Sequence, residues 1–152
     1  MNEAHLHLLL NHLPILGSLF GLIALAVGIF RADTGVVRTG LVTLLAAAVL
    51  CLPVQLTGEG AEEVLHGLPD VSKTLINAHE EAAELAFWVL ELTGALAMLA
   101  LLLPQRAQLM NRLTLAGAVS SFALLAWAGS LGGQIRHPEA RAGFVSSAEY
   151  KP

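Results

Sequence analysis

The chain has 152 residues, of which 55% are hydrophobic and only 13% are charged, and its formal net charge is −4. Soluble globular domains carry about 25% charged residues, so this composition predicts an integral membrane protein and disfavours a soluble one. The acidic balance also argues against nucleic-acid binding, which requires a basic surface.

Four apolar stretches follow one another along the chain, over approximately residues 13–30, 36–56, 82–103 and 113–131. Each is long enough to cross a bilayer as a helix, which takes about 20 residues. We therefore predict a single all-α domain over residues 1–152, an integral membrane four-helix bundle with up-down-up-down connections. A polar outer tail over residues 134–152 follows the last span.

The first span begins near Pro14. Proline lacks an amide hydrogen and is tolerated in a first helical turn, so we expect a helix to restart there. Gly17, Gly21 and Gly28 share one face of this helix. Small residues so spaced allow another helix, or a flat ring, to approach the backbone. Helix packing is the simpler of these two interpretations.

Turn-forming residues predict the ends of the other helices. Thr57, Gly58 and Gly60 indicate the end of the second helix, which leaves residues 61–65 as a short helical turn on the membrane surface. The third helix is expected to open at residues 77–81. The pair Gly132 and Gly133 is expected to cap the fourth helix.

The chain's histidines gather in three regions: the N-terminal segment, the connection between the second and third spans, and the start of the polar tail. They are His5, His7, His12, His66, His79 and His137. Alternating spans bring these regions to one side of the membrane. The short turns on the other side are basic, with Arg31, Arg38, Arg106 and Arg112. Short basic turns are typically cytoplasmic, so we predict a multi-pass protein of the bacterial inner membrane with the histidines and both termini on the outer, periplasmic side.

Imidazole is a common ligand of haem iron, copper and zinc. Clustering selects four candidate cofactor-binding residues, His7, His12, His79 and His137. We expect His12 and His79 to ligate the metal, with the other two as a second pair or as substitutes. His5 and His66 keep the ordinary interpretation, an interface side chain bonded to backbone or water.

A mostly small helix face extends inward from His79 and predicts room for a porphyrin plane. It consists of Ala82, Ala83, Ala86 and Leu90. Haem b is therefore the favoured cofactor. The chain has no Cys-x-x-Cys-His motif, which excludes c-type haem attachment. Copper or a di-iron centre is the alternative, with the same histidines joined by Glu80 or Glu84.

Two carboxyl groups, those of Glu84 and Glu91, lie inside the third span. A carboxyl group inside a membrane is costly and marks a candidate functional residue. One interpretation is contact with a transferred proton or a quinone. The other is a neutral side chain that ties helices together through a hydroxyl such as that of Ser120 or Ser121.

The segment His7-Leu-Leu-Leu-Asn-His12-Leu-Pro14-Ile15 resembles the His-x-x-x-x-His-x-Pro-Ile opening of a bacterial four-helix membrane family, domain-of-unknown-function family 2231. Members are small integral membrane proteins, and some are fused to Rieske iron–sulfur domains. The resemblance therefore implies a membrane redox role, with a Rieske-type protein as a separate partner chain. Leu13 stands where the family often has Phe.

These observations favour a b-type haem protein that transfers electrons between a quinol and a periplasmic acceptor. Such a chain is an electron carrier or redox subunit more than a stand-alone enzyme. The alternatives are the non-haem metal site and a structural or assembly subunit of a larger membrane complex. Expected partners are the lipid bilayer, a quinone, a periplasmic or membrane redox protein, and further copies of the chain in a homo-oligomer.

Overall fold

The computed structural model describes residues 2–65, 68 and 71–145, and every regular element within them is helical. Five α-helices occur: α1 (Glu3–Leu10), α2 (His12–Phe30), α3 (Thr34–Leu65), α4 (Lys73–Leu102) and α5 (Ala107–Arg136). Two short 3₁₀ turns, Pro104–Arg106 and Pro138–Ala140, precede and follow α5. The predicted all-α class is therefore confirmed for the described part of the chain.

Four segments are long and apolar enough to cross a membrane: Glu3–Phe30, Thr34–Leu65, Lys73–Leu102 and Pro104–Arg136. Large apolar side chains cover their outer faces, among them Phe20, Leu56, Trp88 and Trp127, each more than half exposed. Exposed apolar side chains at this density need an apolar surrounding. The four predicted spans are confirmed in this sense, and each helix extends beyond the apolar stretch that predicted it.

Three predicted helix ends are wrong. α3 continues through Gly58 and Gly60 to Leu65, so residues 61–65 are its last turn and not a separate surface helix. The Thr57 hydroxyl lies 3.0 Å from the carbonyl oxygens of both Pro53 and Val54, and Ala61 is buried, so side-chain bonding and packing stabilise this stretch.

The other two wrong predictions concern the end of α5 and the start of α4. α5 passes through the two glycines expected to cap it and ends at Arg136. The predicted restart of the first span near Pro14 is confirmed: the break falls at Asn11, and Pro14 lies inside the first turn of α2, where its missing amide hydrogen costs nothing. α4 begins at Lys73, earlier than expected.

The glycine face of α2 packs directly on α3. A methyl group on Gly28 would lie 2.5 Å from the Val37 amide nitrogen, and one on Gly17 would lie 2.9 Å from the Ala47 methyl. Gly40 of α3 is equally close to the Leu25 backbone. Helix packing is therefore the confirmed role of these glycines, which bring the two backbones into contact.

The remaining helices close the bundle. α3 also packs on α4, α4 on α5, and α5 on α2, while α1 packs on the second half of α3. Small side chains mediate these contacts too, since Gly94 of α4 meets Ala48 of α3 and Gly117 of α5 meets Thr93 of α4. The interior is thus filled mainly by small residues and leucines.

Candidate functional site

His7 is held at the interface between α1 and α3. Its Nδ1 atom lies 3.2 Å from the Val54 carbonyl oxygen and 3.2 Å from the Thr57 hydroxyl oxygen. A carbonyl oxygen can only accept, so Nδ1 carries the hydrogen and donates it. The Nε2 atom of the neutral ring therefore keeps its lone pair.

His79 is held in the same way between α4 and α5. Its Nδ1 atom lies 2.8 Å from the Ala128 carbonyl oxygen. The ring packs on Gly132, where an added methyl group would come within 3.0 Å of Cε1. Small residues at 128 and 132 thus let the imidazole reach the α5 backbone, and its Nε2 atom is also left as an acceptor.

Both imidazoles are half-buried, His7 against α3 and His79 against α5. Histidines that ligate a metal usually donate their second ring nitrogen to a carbonyl or carboxylate, which orients the ring and fixes the tautomer. Both rings already make this bond to main-chain carbonyl groups. They therefore form a pair of oriented Nε2 donors at one end of the bundle.

His12 and His137 make only local bonds. His12 is exposed, and its Nδ1 atom lies 3.0 Å from the Leu8 carbonyl oxygen of the preceding turn. His12 follows His7 by five residues, which is about 140° around a helix, so the two rings point in different directions. No hydrogen bond joins His12 to His79 within the described part of the chain.

His137 lies past the end of α5, with its Nδ1 atom 2.9 Å from Glu139 Oε1. This hydrogen bond holds the pKa of the Glu139 carboxyl below its usual value. His5 is exposed, and His66 lies outside the described residues. Among the four candidate histidines, His7 and His79 are thus the two whose rings bond to main-chain carbonyl groups of α3 and α5.

The helix face expected to border a porphyrin is occupied by protein. Ala82, Ala86 and Leu90 are at most 1% exposed, and the glycines below the first histidines pack on α3. With this packing, a flat ring has no room between the helices along that face. Residues 2–65, 68 and 71–145 also contain no group of three or more His, Cys, Asp or Glu side chains suited to a metal ion.

The carboxyl groups of α4 have separate surroundings. Glu80 is exposed and lies beside Glu62 of α3. Glu84 is exposed. Glu91 has one oxygen shielded from solvent with no hydrogen-bond partner among the described residues, and it lies near Cys51.

Neither of the two serines named as examples of a partner is hydrogen-bonded to Glu91 among the described residues. Ser121 lies 3.0 Å from the Thr93 hydroxyl, and Ser120 donates to the Ala116 carbonyl oxygen at 3.2 Å. Sequence reasoning also missed the main-chain acceptors of the two imidazoles. The small residues at 128 and 132, four apart on α5, were the available signal for a close approach to that helix.

Comparisons with family models, curated proteins and solved structures find no match to this chain. The family resemblance of the opening motif therefore stays a prediction. What the chain does is inferred from the side chains themselves.

Proposed function

We propose that this chain is an electron-transfer protein of the bacterial inner membrane that holds haem b through His7 and His79. One observation carries the proposal: both rings donate the Nδ1 hydrogen to a main-chain carbonyl group, and neither Nε2 atom has a hydrogen-bond partner among the described residues. This is the arrangement that orients an axial imidazole. The expected exchange is between a quinol and a periplasmic acceptor, such as a Rieske-type protein.

The donor set fits haem better than it fits a bare metal ion. A porphyrin supplies four nitrogen ligands, so two imidazoles complete the coordination of its iron. A copper or di-iron site needs more protein ligands, and the described residues do not assemble three. When bound, haem supplies a one-electron carrier. The packed helix face from Ala82 to Leu90 leaves no space for the porphyrin plane.

We also propose an up-down-up-down path with both termini on the outer side. Contacts between neighbouring helices support it. Gly17 meets Ala47 while Gly28 meets Val37, so residue numbers rise on α2 as they fall on α3. The same holds for α4 and α5, where Thr93 meets Gly117 while His79 meets Gly132. The basic turns then lie opposite the histidines, and the positive-inside rule makes those turns cytoplasmic.

Glu84 and Glu91 are proposed to serve the quinone or the proton that accompanies electron transfer. The shielded, unpaired oxygen of Glu91 supports this for the deeper residue. A buried oxygen without a partner is costly, so a ligand or water that bonds to it stabilises the site. A quinone oxygen that carries a proton can donate such a hydrogen bond to the Glu91 oxygen.

A structural or assembly subunit is the second candidate, and the filled interior favours it. The histidine end also carries acidic side chains around one shallow depression, namely Glu3, Glu59, Glu62 and Glu63. Such a surface attracts a basic partner protein through long-range electrostatics.

An absorption spectrum of protein purified from cells supplied with haem, joined to metal analysis, separates these functions. The haem proposal expects a Soret band with about one iron per chain or per dimer. Bound copper or iron without a Soret band would support the non-haem site. Protein with neither would overturn both metal proposals and leave the structural subunit.

A further inference from the structure

A cavity of about 820 Å³ opens among the ends of the four long helices, at the end opposite the histidines. Its walls are largely apolar, with Ile29, Val37, Leu41 and Leu101 among the lining residues. Ligand sites in proteins span about 300–1,000 Å³ and are mostly apolar with a few polar groups. The cavity has both properties.

Two arginines from different helices line the cavity, Arg38 of α3 and Arg112 of α5. Both are exposed, and neither makes an ion pair or hydrogen bond to another described residue. The acidic residue in the lining, Asp33, already accepts from the amides of Gly35 at 2.9 Å and Val36 at 3.1 Å. The cavity lining therefore carries two guanidinium groups and one carboxylate, and that carboxylate is already hydrogen-bonded to amides at the start of α3.

An unpaired amide adds to this pattern. Asn111 lines the cavity, and its Oδ1 atom is shielded from solvent without a hydrogen-bond partner among the described residues. A shielded amide without a partner is destabilising by about 1–3 kcal/mol. Turning the Asn111 side chain toward the cavity would let a ligand hydroxyl group bond to this oxygen and remove that cost.

We propose that this cavity, the Arg38–Arg112 cavity, binds the headgroup of an anionic phospholipid that carries a free hydroxyl, as phosphatidylglycerol does. Guanidinium groups match the oxygens of a phosphate with paired hydrogen bonds. The apolar walls suit the glycerol backbone and the start of an acyl chain, and the Asn111 amide suits the headgroup hydroxyl. Basic pockets between membrane helices bind anionic headgroups by this chemistry.

Native mass spectrometry of the detergent-purified chain tests the proposal, with phosphatidylglycerol and phosphatidylcholine of identical acyl chains. Wild type should retain phosphatidylglycerol preferentially. The double variant R38Q/R112Q should weaken that binding about 30-fold, because each arginine near an anionic lipid contributes about 1 kcal/mol, or about fivefold.

Two further variants make the test specific. The matched double variant R31Q/R106Q removes the same charge from the same end, and it should keep binding within about twofold because neither side chain lines the cavity that holds the phosphate. Ala107→Phe narrows the cavity and keeps every arginine, and it should also release the lipid. Equal retention of both lipids, or equal loss in R31Q/R106Q, would overturn the proposal. Displacement by glycerol 3-phosphate would overturn the lipid assignment, because a soluble phosphate ester would then be the ligand.

Discussion

Replacing Gly40 with alanine should destabilise the bundle, although alanine is the better helix former. The new methyl group would overlap the backbone of Leu25, with 2.7 Å to its Cα and 2.8 Å to its Cβ. Ordinary carbon contacts are about 3.5–4.0 Å, so α2 and α3 must separate by roughly 1 Å there. Such overpacking costs about 1–3 kcal/mol, against a gain of about 1 kcal/mol in helix propensity. The net expectation is a loss of about 1–2 kcal/mol.

Gly133→Ala is the matched control, because an added methyl group there meets nothing within 4 Å and the residue lies inside α5. It should stabilise the protein by up to about 1 kcal/mol. The assay is reversible unfolding in detergent micelles, followed by circular dichroism. The predicted close approach of α2 and α3 is refuted if Gly40→Ala is as stable as wild type, or if both variants shift in the same direction.

Three further predictions concern single contacts. Gly132→Val should push the α4 imidazole off its main-chain acceptor and weaken cofactor binding by about 10–100-fold, measured by haem titration. Thr93→Val should lower the free energy of unfolding by about 1–3 kcal/mol, because it leaves the buried Ser121 hydroxyl without its partner, and unfolding in micelles checks this. His137→Ala should raise the pKa of Glu139 toward its usual value, which a carboxyl titration by NMR measures.

Much of the fold could be predicted from composition and spacing alone. Apolar stretches long enough for a bilayer indicate the spans, and the glycine spacing in the first span indicates close helix packing. The contacts of Gly17 with Ala47 and of Gly21 with Leu44 confirm that packing. These features can be predicted from the sequence because each depends only on the residues of one helix face and on their size.

Helix ends could not be predicted in the same way. Glycine favours turns in isolation, yet Gly58, Gly60 and Gly132 lie inside helices, because side chains of α1 pack on the first two and the His79 ring packs on the third. Tertiary packing commonly overrides local propensity in this way. The length of an apolar stretch also underestimates the length of a helix whose last turns are polar, as at the acidic end of α3.

The choice between His7 and His12 depends on rotation about the helix axis. Five residues separate the two rings by about 140° on a helix, so only one of them can face the interior. The turn at Asn11 continues the helical path closely enough that His7 faces α3 and His12 stays exposed. Spacing predicts that the two differ, and packing decides which one faces the bundle.

The most direct test of the imidazole pair is the absorption spectrum of four single variants, each purified from cells supplied with haem. His7→Ala and His79→Ala should each abolish the Soret band, because each removes one of the two oriented Nε2 donors. His12→Ala and His137→Ala should retain it, since those rings are exposed and bonded only within their own segments. A band that survives His7→Ala and disappears in His12→Ala, or no band in wild type, would contradict the pair.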